Sequence, residues 1–343
     1  MSRKLDLVHG RVDLSHGAGG RAMAQLIEEV FARALDNPLL RQGNDQAAFE
    51  VDAGTMVMST DGYVVSPLFF PGGDIGSLAV HGTINDLAMA GARPLHLSAS
   101  FIIEEGFALA DLARIARSMG DAARGAGVAV VTGDTKVVER GKADGVFICT
   151  SGIGVVPAGL RLSGERARAG DVVLLSGTIG DHGVAVMSLR DNLEFDTEIV
   201  SDSAALHELV AAMVNAAPQA LRLMRDPTRG GVAATLNEIA HQSQVGVVLR
   251  EDAIPVLPQV AAACELFGLD PLNVANEGKL LAVVAPGEAD AVLAAMRAHP
   301  LGARAACIGE IVDDARCFVQ MITSFGGRRM VDWLAAEQLP RIC

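Results

Sequence analysis

The sequence predicts an α/β (α+β) protein of two domains built on mixed sheets, and three observations carry that expectation. Its 343 residues exceed what a single hydrophobic core usually supports. Helical and strand periodicities alternate along the chain without the regular crossover rhythm of an all-parallel sheet. Between two such runs lies a polar, basic, glycine-containing link, "PAGLRLSGERARAGD" at 157–171, whose last residue leads straight into a fresh apolar strand.

The elements follow in order. A helix is expected over "AMAQLIEEVFARAL", then strands at "TMVMST", "PLHLSASFII", "VAVVTG" and "GVFICTSGIGVV", with helices at 76–91 and 108–125 between them. After the link, "VVLLSG" opens a second half with helices near 181–190, 202–216, 231–242 and 288–299. Its further strands fall near 245–250, 279–285, 305–312 and 316–321. The expected division is 1–158, 159–336 and a tail at 337–343.

Composition excludes several classes. The net charge is −13 with no block of Lys and Arg, which argues against nucleic-acid binding through phosphate neutralisation. Apolar runs such as "LLAVVA" at 280–285 stop well short of a bilayer's thickness, and the first twenty residues lack the apolar centre of a signal peptide. No membrane association and a cytoplasmic location are therefore expected. The five cysteines are odd in number and form no C-x-x-C pair, which excludes a disulfide framework or structural zinc site and fits a reducing compartment.

Acidic loops hold the chemistry. Asn44-Asp45, Asp61 in "MSTDGY", Asn85-Asp86 in "HGTINDLAMAGARP" and Asp134 in "VTGDTKVV" are ordinary turn or helix residues one by one. Four of them in one half of an acidic chain suggest carboxylates gathered around a cation, with magnesium bringing a nucleotide triphosphate. Lys136 could reach a phosphate or stay a solvated strand-edge lysine. In "FFPGGDIG" (69–76), Gly73 precedes Asp74 at a helix start, so backbone N–H groups could hold phosphate oxygens, or Asp74 could simply cap the helix. No G-x-x-x-x-G-K-[ST] can be written, which excludes the usual P-loop. "SHGAGG" (15–20) is a second glycine cluster before a helix. "SGTIGDHGVAVM" spaces its glycines G-x-x-G-x-x-G, which is not a dinucleotide fingerprint, and His182 within it reads as a helix-start polar residue. Asp226 and Thr228 in "RDPTRGG" and Glu277 in "NEGKL" border apolar elements, where a carboxylate's pKa can rise toward that of a useful base.

The chain finishes "LPRIC". A cysteine at a chain end should be reachable, because termini fray unless something ties them down. Cys343 is then either an accident of position or a reactive carrier.

Taken in order, "HGAGG", "STDGYVV", "PLFFPGGDIG", "GTINDLAMAGARP", "VTGDTKVV", "SGTIGDHG", "TRGG", "NEGKL" and "PRIC" resemble the HypE family of hydrogenase maturation proteins, the carbamoyl dehydratases, from about residue 14 to the end. That family belongs with aminoimidazole ribonucleotide synthetase, selenophosphate synthetase and thiamine-monophosphate kinase. The resemblance implies a homodimer whose N-terminal domains close a shared β-barrel, a C-terminal α/β domain, and ATP with Mg2+ as cofactors. It places metal positions at Asp45, Asp61, Asp86 and Asp134, nucleotide positions at Gly73, Asp74, Asn85, Asp134 and Lys136, proton transfer at Glu277, and the carbamoyl group on Cys343. The implied partners are the carbamoyltransferase HypF and an iron-bearing HypC–HypD complex. Other branches show paired aspartates where this chain has Asn44-Asp45, and His81 receives no role. The competing readings are selenophosphate synthetase, disfavoured because the first cysteine is Cys149, a thiamine-phosphate kinase, and a non-enzymatic iron or cyanide carrier.

Overall fold

The computed structural model describes residues 4–17, 21–42, 49, 54–191, 199–333 and 341–343. Asp45 and Pro340 lie outside the described residues.

Helix α1 (Arg21–Leu26) runs on into a π-helical turn, Ile27–Ala32, that buries Val30 and Phe31. The first half then contains β1 (Thr55–Tyr63), a short hairpin of β2 (Phe69–Phe70) and β3 (Gly73–Asp74), α2 (Ile75–Met89), β4 (Arg93–Glu104), α3 (Leu109–Gly125), β5 (Ala129–Val138) and β6 (Val146–Val156). The four long strands form a sheet in the order β1-β6-β4-β5. Only β4 and β5 run parallel, joined by the α3 crossover, so the sheet is mixed as expected. In α3, Leu109, Leu112, Ile115, Ala116, Met119 and Ala123 make one buried stripe at helical spacing. Full burial of each large side chain there stabilises the fold by roughly 2 kcal/mol. Helices α2 and α3 meet closely enough that a Cβ at Gly76 would stand 2.3 Å from the Ile115 carbonyl oxygen.

The second half contains β7 (Val172–Leu175), α4 (Asp181–Arg190), α5 (His207–Ala216), β8 (Leu221–Arg225), α6 (Gly231–Ser243), β9 (Gly246–Arg250), α7 (Pro258–Phe267), β10 (Leu281–Val284), α8 (Ala289–Ala298), β11 (Ala306–Val312), β12 (Val319–Ile322) and β13 (Arg328–Met330). Its seven strands are ordered β13-β12-β9-β11-β7-β10-β8, with only β12 and β9 parallel. The expected helix over 202–216 starts only at His207, because 203–206 is tied instead to the side chains of Ser201 and Asn85. Strands β2, β3, β8 and β13 and helix α7 were not expected.

Hydrophobic packing ignores the division of the chain. Val184, Ala185 and Val186 of α4, Val260 and Ala263 of α7, and Ile342 of the tail belong to the core of the first half. Ala88 and Met89 of α2 belong to the core formed by α5, α8 and the large sheet. Helix α2 is accordingly buried almost all round, as a helix pressed between two layers must be.

Candidate functional site

The site forms where α2, the end of β1 and the second half meet. On β1, Tyr63 donates to Asp61 Oδ2 at 3.1 Å and lies 3.3 Å from Thr83 Oγ1 of α2. One turn further along α2, Asp86 accepts from Ser59 at 2.5 Å. Asp226, just after β8, and Glu277, just before β10, approach from the other half. Glu277 is 3% exposed and its Oε1 has no hydrogen-bond partner among the described residues.

All four carboxyls are raised, by burial first. Burial pushes Glu277 well above the usual carboxylate range, and Asp226, Asp202, Asp61 and Asp86 add to the push. Burial, with Asp86 and Asp61 nearby, lifts Asp226 to about 7. Asp61 and Asp86 are raised by burial as well, Asp86 also by Asp61. A neutral, deeply set carboxyl with a free oxygen is poised to exchange a proton.

Asp202 differs. Burial opposes its charge, but Lys279 at 2.8 Å holds it low. It accepts the Glu277 N–H at 3.0 Å and so fixes the backbone that carries Glu277.

Several sequence-derived positions take other places. Asp134 stands in the register row Gly62–Cys149–Ser100–Asp134, whereas Asp61 stands in the adjoining row Asp61–Thr150–Ala99–Gly133. Adjoining rows point to opposite faces of a sheet. Asp134 is therefore three strands, roughly 14 Å, from Asp61 and on the other face. There it pairs with Lys136 at 2.6 Å, in the open. The expected gathering of Asp61, Asp86 and Asp134 does not occur within one protomer.

Asp74 is the helix cap: it accepts the Gly76 and Ser77 N–H groups at 2.8 and 3.1 Å, and Ser77 answers by accepting the Asp74 N–H. With Ile75 N–H given to Leu68, the N-terminal amides of α2 are engaged within the fold, and Asp74 with Ser77 forms a capping box. Asn85 gives its amide hydrogens to the Ala204 and Glu277 carbonyls and accepts from Leu206 N–H. It clamps the two halves together, with both amide hydrogens spent inside the fold.

Among the described residues no group of three or more His, Cys, Asp or Glu could by itself hold a metal ion. Asp61 and Asp86 nonetheless suit a magnesium ion whose remaining positions are filled by phosphate oxygens and water.

The tail is tied down. Val64 N–H donates to Cys343 O at 3.0 Å and Ser66 N–H to Arg341 O at 3.1 Å, so 341–343 lie antiparallel to the chain just beyond β1. Arg190 donates to both Ser66 O and Arg341 O. Arg341 pairs with Asp144. Ile342 is 2% exposed and Cys343 is half-buried against the same core. His182, Arg190, Ser201 and Asp202 gained no such role from the sequence, because each acts on a residue far along the chain.

This arrangement has known counterparts. The AIR synthase related protein N-terminal domain model matches residues 43–156 and the C-terminal domain model residues 168–322. The carbamoyl dehydratase HypE of Rhizobium leguminosarum bv. viciae is 73% identical over 341 residues, covering 99% of this chain and 97% of that one. The chain belongs to the carbamoyl dehydratase HypE family. The Escherichia coli K12 member is 47% identical over 337 residues, covering 97% of this chain and 99% of its own. A crystal structure of the hydrogenase maturation protein HypE in complex with ATP matches with a TM-score of 0.93 at 49% identity, over 96% of this chain and 99% of that one. A HypE–HypF complex matches at 0.80 and 50%, over 90% and 99%. A thiamine-monophosphate kinase from Stenotrophomonas maltophilia, at 21% identity and a TM-score of 0.62, shares the fold alone.

Proposed function

We propose that this chain is an ATP-dependent carbamoyl dehydratase that converts an S-carbamoyl group on Cys343 to a thiocyanate, supplying cyanide ligands for a [NiFe]-hydrogenase iron centre. The observation that carries this is the seat of the tail: Cys343 is held in main-chain register with Val64, the residue after Tyr63, whose hydroxyl holds Asp61.

Atoms balance with ATP as co-substrate: R–S–C(O)NH2 plus ATP gives R–S–C≡N, ADP, inorganic phosphate and a proton. ATP with magnesium turns the carboxamide oxygen into a phosphate leaving group. Asp61 and Asp86 would hold the metal, and the Glu277 carboxyl, raised by burial, would take protons from the nitrogen once ionised.

Asp134 and Lys136 belong to the open face of the four-stranded sheet, beside Met56, Met58, Ile102 and Cys149. Met58 is 71% exposed there. An exposed apolar sheet face calls for a partner. A second copy closing the sheet into a barrel supplies one, and Lys136 with Asp134 then serves the phosphates of the opposite protomer. On this reading residues 1–158 bind ATP and dimerise, 159–336 form the second domain, and 337–343 travel. The carbamoyl donor is HypF, as the relative's complex suggests, and the acceptor is an iron-bearing HypC–HypD complex in the cytoplasm.

Intact mass spectrometry tests the reaction. With the carbamoyl donor system the chain gains one carbamoyl group on Cys343, and with ATP it then loses one water. A Cys343→Ala chain that still acquires the group would remove the carrier from the scheme.

A further inference from the structure

His182 is fully buried, and both its ring nitrogens are engaged: Nδ1 lies 2.7 Å from Ser201 Oγ and Nε2 lies 2.8 Å from the Ile342 carbonyl oxygen. A carbonyl can only accept, so Nε2 carries the hydrogen and Nδ1 accepts from the Ser201 hydroxyl. Ser201 Oγ in turn accepts the Ser203 N–H at 3.1 Å, and Ser203 Oγ lies 3.0 Å from His81 Nδ1 on α2. Between the two serines stands Asp202, which holds the Glu277 N–H and Lys279. The stretch 201–203 therefore reaches the tail through Ser201 and His182, and the candidate base through its aspartate. It is also fixed from outside, since Ser201 N–H donates to Pro71 O at 2.9 Å.

We infer that His182 is a positioning residue that seats the C-terminal cysteine for reaction, and that Ser201-Asp202-Ser203 couples that seat to the backbone of Glu277. This deepens, and rests on, the dehydratase function proposed above. When the tail withdraws, the Nε2–H loses the acceptor it has in the docked arrangement. An unmet buried donor of this kind shifts the docked-to-withdrawn ratio by about tenfold. The histidine thus favours the docked tail by a donor that has no other outlet among its described contacts.

The test uses the full chain with His182→Ala and His182→Gln, whose amide can place a donor near the Nε2 position. Alkylation of Cys343 by iodoacetamide, followed by peptide mapping, reads docking without any need for activity. His182→Ala raises that rate about tenfold and slows single-turnover dehydration of the carbamoylated chain by a similar factor. Carbamoylation, which needs the tail extended, is not slowed. His182→Gln restores most of the protection. Ser201→Ala keeps the tail contact but cuts the link, so dehydration slows while alkylation stays within about twofold of wild type.

Should His182→Ala not fold, Gln against Asn decides the matter: Asn ends one bond short and leaves Cys343 unprotected, while Gln protects it. Equal alkylation of Gln and Asn variants, or of a folded His182→Ala chain and the wild type, overturns the inference. If the wild type is protected by His182 yet never dehydrates its carbamoyl group, the proposed function fails and the docking role stands.

Discussion

Asp61 and Asp134 occupy adjoining rows of one four-stranded sheet, and their carboxyls are driven in opposite directions. Asp61 faces α2, where burial raises it in the company of Asp86, Asp226 and Glu277. Asp134 faces out, where the Lys136 ammonium holds it low. Strand parity decides which aspartate becomes part of a crowded acidic pocket and which becomes half of a surface ion pair. The crowded group is costly without a cation or protons, and the exposed pair is cheap and open to a partner.

The sharpest break in that contrast comes from the pocket side. Glu277→Gln removes the proton acceptor and slows single-turnover dehydration roughly 10²–10⁴-fold, with carbamoylation of Cys343 unchanged. Dehydration at the wild-type rate would take Glu277 out of the mechanism.

The two faces can also be tested together. If Lys136 acts across the dimer, mixing inactive Lys136→Ala and Glu277→Gln chains, dissociated and reassembled, restores roughly a quarter of wild-type turnover, the statistical share of intact sites. If both residues served one protomer, the mixture would remain inactive.

Asp74 separates a cap from a cradle. Asp74→Ala lowers stability by about 1 kcal/mol in thermal melts while ATP affinity stays within about twofold. A large loss of affinity without loss of Tm would reinstate the phosphate role.

The last effect concerns pH. Asp226 titrates near 7 in the fold against 3.8 as its ordinary value, so the folded chain binds more protons across that window. The stability linked to its neutral form is complete below about pH 4 and is lost as pH rises through about 7. Asp226→Asn, which cannot ionise, therefore gains Tm relative to the wild type at pH 8 and much less at pH 5. Parallel behaviour of the two chains would show that Asp226 is not desolvated.

Much of the fold was legible because long strands and amphipathic helices advertise their period: β4, β6 and α3 appear close to where the sequence places them. The short β8 ("LRLMR"), buried at Leu221, Leu223 and Met224, lacks sustained alternation, and α7 was missed although Pro258 at its start and Gly268 at its left-handed end were local signs. In the site, Asp61, Asp86, Asp226 and Glu277 stood out by loop position. Their separation from Asp134 did not, because it depends on the register and on the irregularity between Leu97 and Ser98. His182 and its contact at Ile342 are 160 residues apart, a pairing that no local pattern encodes.

The grip on residues 341–343 is made largely through peptide carbonyls and amides, from Val64, Ser66, Arg190 and His182. Such a latch is blind to cargo. Bare thiol, thiocarbamate and thiocyanate all present it with the same main chain, so docking alone cannot sort substrate from product. Direction around the cycle must then be imposed elsewhere, by nucleotide turnover at the pocket and by whichever protein captures the released arm.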